Sequence, residues 1–294
     1  MRRCYRVAGL TFALDLPAGH PAAERMHNYD PFRTAPVPEA DCLFSLELLS
    51  EAPAGARETL YAAPAAAGEP VARLLRLGDG FLAEFAPRPT APVCGQLVLD
   101  ADFRRGRLHA GGSDAAQRFA LNNAAMLLFA LASAPFRALE LHASAVLRAG
   151  RGFLFLGRSG TGKSTHSALW MKHIAGTELL NDDNPVLRIA DDGSVRVYGS
   201  PWSGKTPCYK SEDAPVGAIV RLRQAPQNRI ERLGTAAAYA SVMPACSGFR
   251  PFRAVADAQH ETLAAVVGRV PCYQLDCLPD EAAARLCQNT IDAA

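Results

Sequence analysis

The chain has no excess of charge of either sign: 31 Lys and Arg stand against 29 Asp and Glu over 294 residues, a formal +2. A nucleic-acid groove or a basic membrane-surface helix is therefore not expected, and a charged ligand must be held by a local site. The chain also lacks a C-x-x-C pair. Its eight cysteines (Cys4, Cys42, Cys94, Cys208, Cys246, Cys272, Cys277, Cys287) are scattered over a length that needs no disulfide framework. Reduced thiols in a cytoplasmic protein are expected, packing as small apolar groups. Long apolar runs are missing too. Asp15, Pro17 and His20 interrupt any signal-like segment, and the longest apolar stretch, Ala124 to Phe136, contains Ser133 and Pro135 and is too short to span a bilayer.

What is present is apolar content, 49% of residues, enough for one large core or two modest ones. Two lobes are expected. From Cys4 to about Phe103 apolar residues alternate in short bursts (Phe44, Leu46, Leu48; Phe81, Ala83, Phe85; Leu97, Leu99), which predicts a smaller, mostly β region over 1–110. The Ala/Pro/Gly tract from Ala52 to Pro70 reads as a loop or surface excursion. Over 111–294 the pattern becomes α/β. A helix over Asp114 to Ala134, capped by Ser113 or Asp114 and stopped by Pro135, precedes strands at Leu139 to Leu147 and Phe153 to Leu156. A helix over Ser164 to Ile174 follows. Further strands are expected at Leu179 to Leu180, Val186 to Ile189, Val195 to Tyr198 and Val216 to Leu222, and helices near Ala236 to Met243, Glu261 to Val267 and Asp280 to Ala293.

Between the second strand and its helix stands Gly157-Arg158-Ser159-Gly160-Thr161-Gly162-Lys163-Ser164, a full match to the phosphate-loop pattern G-x-x-x-x-G-K-[ST]. Its glycines let backbone N–H groups approach phosphate oxygens, and the helix N-terminus adds its positive end. Lys163 should reach the β- and γ-phosphates, Ser164 should ligate Mg²⁺, and Thr165 can touch an inner phosphate. Gly199 to Thr206 fits the same pattern, but Pro207 and Pro215 leave no sustained helix behind it. It reads instead as a substrate loop offering Trp202 as a stacking face, Ser203 as a hydroxyl and Lys205 as a cation, or as a surface hairpin turn.

Asn181-Asp182-Asp183-Asn184 starts 18 residues after Lys163. A kinase needs a carboxylate to accept or orient the hydroxyl proton and oxygen ligands for the metal, and adjacent carboxylates at a strand end can divide those jobs. An Asx-rich turn is the alternative. Arg221-Leu222-Arg223 offers guanidinium groups, Arg223 among them, for phosphate or carboxylate, or is a solvated charged strand.

His142, the phosphate loop 15 residues later and the Asp-Asp pair, in that order, resemble the C-terminal catalytic domain of HPr kinase/phosphorylase, with the ATP-dependent phosphoenolpyruvate carboxykinases, free-serine kinases and peptide-modifying kinases as similar branches. The resemblance covers roughly Leu139 to Leu286. It implies a mixed sheet rather than a parallel one, Asp182 as the base, Asp183 as a metal-side ligand, and His142 beside the metal or the transferred phosphoryl group. The I-R-G-x-G signature of HPr kinase is absent, as is its usual N-terminal domain. The expectation is a Mg²⁺-dependent kinase using ATP, with ADP or pyrophosphate as other donors, on a serine-like hydroxyl of a small molecule, peptide or carrier protein. A regulatory module that binds nucleotide without phosphotransfer, and a phosphorylase running the reverse reaction, are the alternatives. A homo-oligomer is compatible with the sequence, and neither nucleic acid nor membrane is an expected partner.

Lys163→Ala is expected to weaken ATP binding tenfold or more, about 1.4 kcal/mol, and Lys205→Ala to leave it unchanged. Calorimetric titration of both variants checks this, and an equal loss in the two reverses the choice between loops.

Overall fold

The computed structural model describes residues 1–17, 19–20, 26–55, 57–62, 70–204, 206–248 and 251–293. They form two compact units, Met1–Ser133 with Gly248–Ala256, and Ala134–Ser247 with Asp257–Ala294.

The first unit is a nine-stranded sheet built from β1 (Arg2–Val7), β2 (Leu10–Asp15), β3 (Arg33–Thr34), β4 (Ser45–Leu48), β5 (Arg57–Ala62), β6 (Val71–Leu77), β7 (Gly80–Ala86), β8 (Gly95–Leu99) and β9 (Arg105–Ala110). Their spatial order is β3-β1-β2-β4-β9-β8-β7-β6-β5. Helix α1 (Asp114–Ala132) covers it, its first turn closed by the Ser113 hydroxyl accepting from the Ala116 N–H at 3.4 Å. The helix comes close at Gly106, where a Cβ would stand 2.4 Å from Leu128 Cδ1. Phe12, stacked on Phe44 at 4.9 Å and edge-on to Phe129 of the helix at 6.1 Å, fills the space beneath. Because α1 buries its apolar residues against this sheet, the division between units falls at Ser133 rather than near residue 110. β5 corrects the loop reading of the Ala52 to Pro70 tract over Arg57–Ala62, where an edge strand with no buried side chain shows no apolar burst. The rest of that tract's Ala/Pro/Gly core, 63–69, lies outside the described residues.

The second unit contains β10 (Ala138–Glu140), β11 (Ala143–Arg148), β12 (Arg151–Leu156), α2 (Lys163–His173), β13 (Thr177–Asn181), β14 (Val186–Ile189), β15 (Val195–Tyr198), β16 (Asp213–Gln224), β17 (Arg229–Arg232), α3 (Thr235–Val242), β18 (Cys272–Cys277) and α5 (Glu281–Asp292), with α4 (Arg253–Val267) before β18. The sheet runs β10-β14-β15-β16-β12-β11-β13, with β18 beside β16 and β17 beside β18. It is mixed: β12, β16 and β18 are parallel, while β10, β11, β13, β14, β15 and β17 join antiparallel. Strand alternation splits the core between the two faces. Phe153, Phe155, Val220, Leu222 and Leu275 pack with Trp170 of α2 and Ala284 and Cys287 of α5. Leu154, Leu156 and Ile219 pack with Ala238 and Val242 of α3 and Leu263 and Val266 of α4.

The strand expected over Leu139 to Leu147 is two strands, because Leu141 and His142 leave the ladder and bond their N–H groups to Pro185 O at 3.1 Å and Ala245 O at 2.8 Å. All eight cysteines are free thiols. Among the described residues no helix is long and apolar enough to cross a membrane.

Trp170 is fully buried, with ring centroids 5.3 Å from both Phe153 and Phe155. Trp170→Ala is expected to cost about 3–5 kcal/mol, read by urea unfolding followed by circular dichroism. A loss below about 1 kcal/mol would place this face outside the core.

Candidate active site

Residues 157–162 leave the C-terminal end of β12 and Lys163 begins α2. Gly160 and Gly162 take φ of +77° and +106°, which turns the loop at positions an L side chain rarely occupies, and Gly162 serves as the helix N-cap. Thr161 N–H closes the loop onto Arg158 O at 3.1 Å. Ser159, Gly160, Thr161, Ser164 and Thr165 are exposed or half-buried, whereas Lys163 is 8% exposed.

The Lys163 ammonium lies 3.2 Å from Gly157 O and 2.8 Å from His142 Nε2. A charged lysine donates to the carbonyl, and the imidazole is its second partner. Asp183 Oδ1 stands 3.4 Å from the same Nε2. Burial raises the Asp183 pKa, while His142 and Lys163 pull it down and Asp182 adds to the rise. The fold thus brings Lys163, His142 and Asp183 together.

Asp182 is 3% exposed and faces another way. Its Oδ1 accepts from Ser144 Oγ at 3.1 Å, and Ser144 Oγ lies 2.6 Å from Ser167 Oγ on α2. Its Oδ2 accepts from the Thr206 N–H at 3.2 Å, which seats the second glycine-containing loop against the acidic pair. Asn181 organises both. Its Oδ1 accepts from Asp183 N–H at 2.9 Å and Asn184 N–H at 2.8 Å, and its Nδ2 donates to Ser200 O at 3.2 Å and Trp202 O at 3.1 Å. The segment is therefore an Asx turn, and that turn is what aims the two carboxylates apart.

Other expectations change. Trp202 is 3% exposed, so its ring packs inside and offers no stacking face. Ser203 Oγ donates to Thr206 O at 2.7 Å and accepts from Cys208 N–H at 3.3 Å, binding its own turn. Lys205 lies outside the described residues. Arg223 is committed to Asp276, donating from Nε at 2.7 Å and from a second nitrogen to the other oxygen.

Glu140 was not flagged by the sequence, although a carboxylate in the apolar strand Leu139-Glu140-Leu141 is the signal for it. It is 1% exposed, and neither carboxyl oxygen meets hydrogen-bond geometry with a protein donor, Ser247 included. Burial pushes its pKa well above the usual carboxylate range, with Ser247 pulling down and Asp183 adding to the rise. His166 is also buried, accepting from Trp170 Nε1 at 3.1 Å.

A cavity of about 350 Å³ opens beside the loop at the ends of β16 and β18, lined by Thr165, Leu169, Leu222, Gln224, Cys277 and Pro279 among others. Gln224 Nε2 donates to Gly160 O at 3.2 Å, joining the cavity wall to the loop. The cavity is apolar enough for a flat ring and reaches the loop's N–H groups.

Among the described residues no group of three His, Cys, Asp or Glu side chains could hold a metal ion. Mg²⁺ needs no such cage, since one or two protein oxygens with water and phosphate oxygens suffice. Ser164, exposed in the first turn of α2, and the half-buried Asp183 carboxylate fit that donor set.

No protein-family model matches the chain, and no curated protein does. Among solved structures, the HPr(Ser) kinase/phosphatase from Coxiella burnetii is similar at 14% identity and a TM-score of 0.29, covering 52% of this chain and 98% of that chain. A likeness of that size does not bear on chemistry, which rests here on the side chains themselves.

Burial lowers the His166 pKa from 6.5 to about 4. The unfolded chain takes up this proton first as pH falls, so the neutral ring contributes stability above pH 6.5 that is lost as pH drops toward 4. The loss is on the order of 3 kcal/mol. Urea unfolding of wild type and His166→Phe at pH 7 and pH 4.5 should show a shallower pH dependence in the variant by about that amount, and equal slopes would contradict a neutral buried ring.

Proposed function

We propose that the second unit is a cytoplasmic, Mg²⁺-dependent phosphotransferase that moves the terminal phosphoryl group of a nucleoside triphosphate to a hydroxyl. The observation that carries this reading is one carboxylate of the acidic pair, Asp183, standing with His142 and Lys163 at the mouth of a phosphate loop. A loop that only holds nucleotide needs the lysine but not the neighbouring acidic pair.

In this reading the base lies in the cavity beside Leu169 and Leu222, and the phosphates lie over the N–H groups of Ser159 to Thr165. Lys163 releases His142 and Gly157 O and turns its ammonium to the β- and γ-phosphates. Ser164 and Asp183 would hold Mg²⁺, which would supply charge neutralisation to the phosphate oxygens. Asp182 accepts the proton of the acceptor hydroxyl. That oxygen bonds to the terminal phosphorus, and the bond from phosphorus to the nucleoside diphosphate breaks. Ser144 and the Thr206 N–H hold Asp182 in one orientation, each oxygen keeping a lone pair for the incoming proton.

A second assignment exchanges the carboxylates. Asp183 is the more exposed of the two and stands beside His142 and Lys163, which favours it as the group that meets the acceptor.

Asp182→Asn keeps shape and loses the proton-accepting charge, so single-turnover transfer is expected to fall roughly 10²-fold or more with nucleotide affinity little changed. Asp183→Asn is expected to shift the Mg²⁺ requirement, and His142→Ala to lower turnover by a smaller factor. The measurement is labelled phosphate transfer across a panel of hydroxyl metabolites and peptides at several Mg²⁺ concentrations. Parental transfer by Asp182→Asn with loss in Asp183→Asn selects the exchanged assignment, and parental rates in both end the phosphotransfer mechanism.

A further inference from the structure

We propose that Arg158 and Arg221 form an oxyanion site on the flank of the phosphate loop opposite the cavity, taking a carboxylate or phosphate group of the hydroxyl-bearing acceptor. The inference rests on the phosphotransfer reading and names the chemical class of its acceptor, an anionic one.

The register brings Arg221 to the start of the loop that carries Arg158. Arg221 of β16 pairs with Leu156 of β12, the last residue before the loop, and Arg158 is the loop's second residue. Along β16, Ile219 points into the α3 and α4 face while Val220 and Leu222 point into the α2 and α5 face, so alternation sends Arg221 to the α3 and α4 side. Its Nη1 donates to Ser241 O at 3.0 Å. The same stretch of chain ends at Ala245, whose carbonyl accepts the His142 N–H at 2.8 Å. Arg221 therefore stands on the His142 flank, whereas the cavity wall at Leu169, Leu222 and Cys277 lies on the other face.

The charges on that flank are unbalanced. Arg148, Arg196 and Arg223 each have a carboxylate within salt-bridge distance. Among the described residues neither Arg158 nor Arg221 has one, and Arg221 is partly buried with its pKa lowered by that burial and by the neighbouring Arg158 charge. Two guanidinium groups held together without a counter-ion repel each other and lose that repulsion when a shared anion bridges them. A planar guanidinium meets carboxylate or phosphate through two N–H bonds, which orients the anion as well as binding it. An acceptor anchored there presents its hydroxyl to the carboxylate pair across the loop. The terminal phosphate of the nucleotide is the other oxyanion in reach.

The test separates these sources. The full chain is saturated with Mg²⁺ and a non-hydrolysable ATP analogue, which fills the terminal phosphate position, and inorganic phosphate is titrated while its ³¹P line width is followed. Wild type is expected to bind phosphate, and Arg221→Gln and Arg158→Gln are each expected to weaken that binding tenfold or more with affinity for the analogue within about threefold. Arg158→Gln, in the exposed loop, guards against a packing effect at Arg221. Unchanged phosphate binding in both variants, or none in wild type, overturns the site. A tenfold loss of analogue affinity assigns the arginines to the nucleotide and overturns the acceptor reading. If the chain binds no nucleotide, the phosphotransfer reading fails separately. Phosphate titration of Lys163→Ala with and without Arg221→Gln still reads the arginine pair, whose absence of effect overturns it.

Discussion

The Asn181 side-chain amide is the point on which the candidate site depends. It is fully buried, and its oxygen and nitrogen are both engaged: one end bends the chain through Asp183 and Asn184, the other ties down Ser200 and Trp202. Leaving such a group unsatisfied costs about 1–3 kcal/mol, but the energetic term is the smaller part of its role. The bend sets where each of the two neighbouring carboxylates points. With it, one meets the hydroxyls beneath α2 and the other meets the imidazole. The parallel centre of the sheet then delivers the loop to the same edge, because β12, β16 and β18 all end there.

A buried ammonium, an imidazole and a half-buried carboxylate stand in a row at this edge, and the first two pull the Asp183 pKa down against the burial that raises it. Glu140, two residues from the histidine, is buried, and that burial raises its pKa well above the usual carboxylate range.

Much of this was legible in the sequence, and what escaped has identifiable causes. The phosphate loop and α2 follow from local rules, since glycine spacing and a helix start are written in neighbouring residues. The mixed sheet was implied by the resemblance that His142, the phosphate loop and the acidic pair carry. The role of Asn181 was hidden in a turn signature that had been weighed against function when it serves function. Trp202 looked like a surface aromatic because its burial, like the bond from Asn181 to its carbonyl, depends on parts of the chain distant in sequence. Arg223 and Arg221 are indistinguishable by pattern. Only the pairing of β16 with β12 and β18 shows that one answers Asp276 while the other stands opposite Leu156 and donates to Ser241 O. Ser144, Ser167 and His166 were missed for the same reason, as each acts through a partner on another element.

β16 serves three neighbours along its twelve residues, β15 at its start, then β12 and β18 on its remaining length. Strand periodicity makes that arrangement intolerant of a change in length. A single residue inserted or deleted between Val216 and Leu222 would turn the strand over, sending the Arg221 guanidinium into the aromatic layer and a leucine toward the loop flank. Homologous chains should therefore differ in length at the 225–228 turn after the strand and hold constant length within it. Over evolutionary time the spacing of β16, more than the identity of any one residue in it, is what keeps the two sides of the loop distinct.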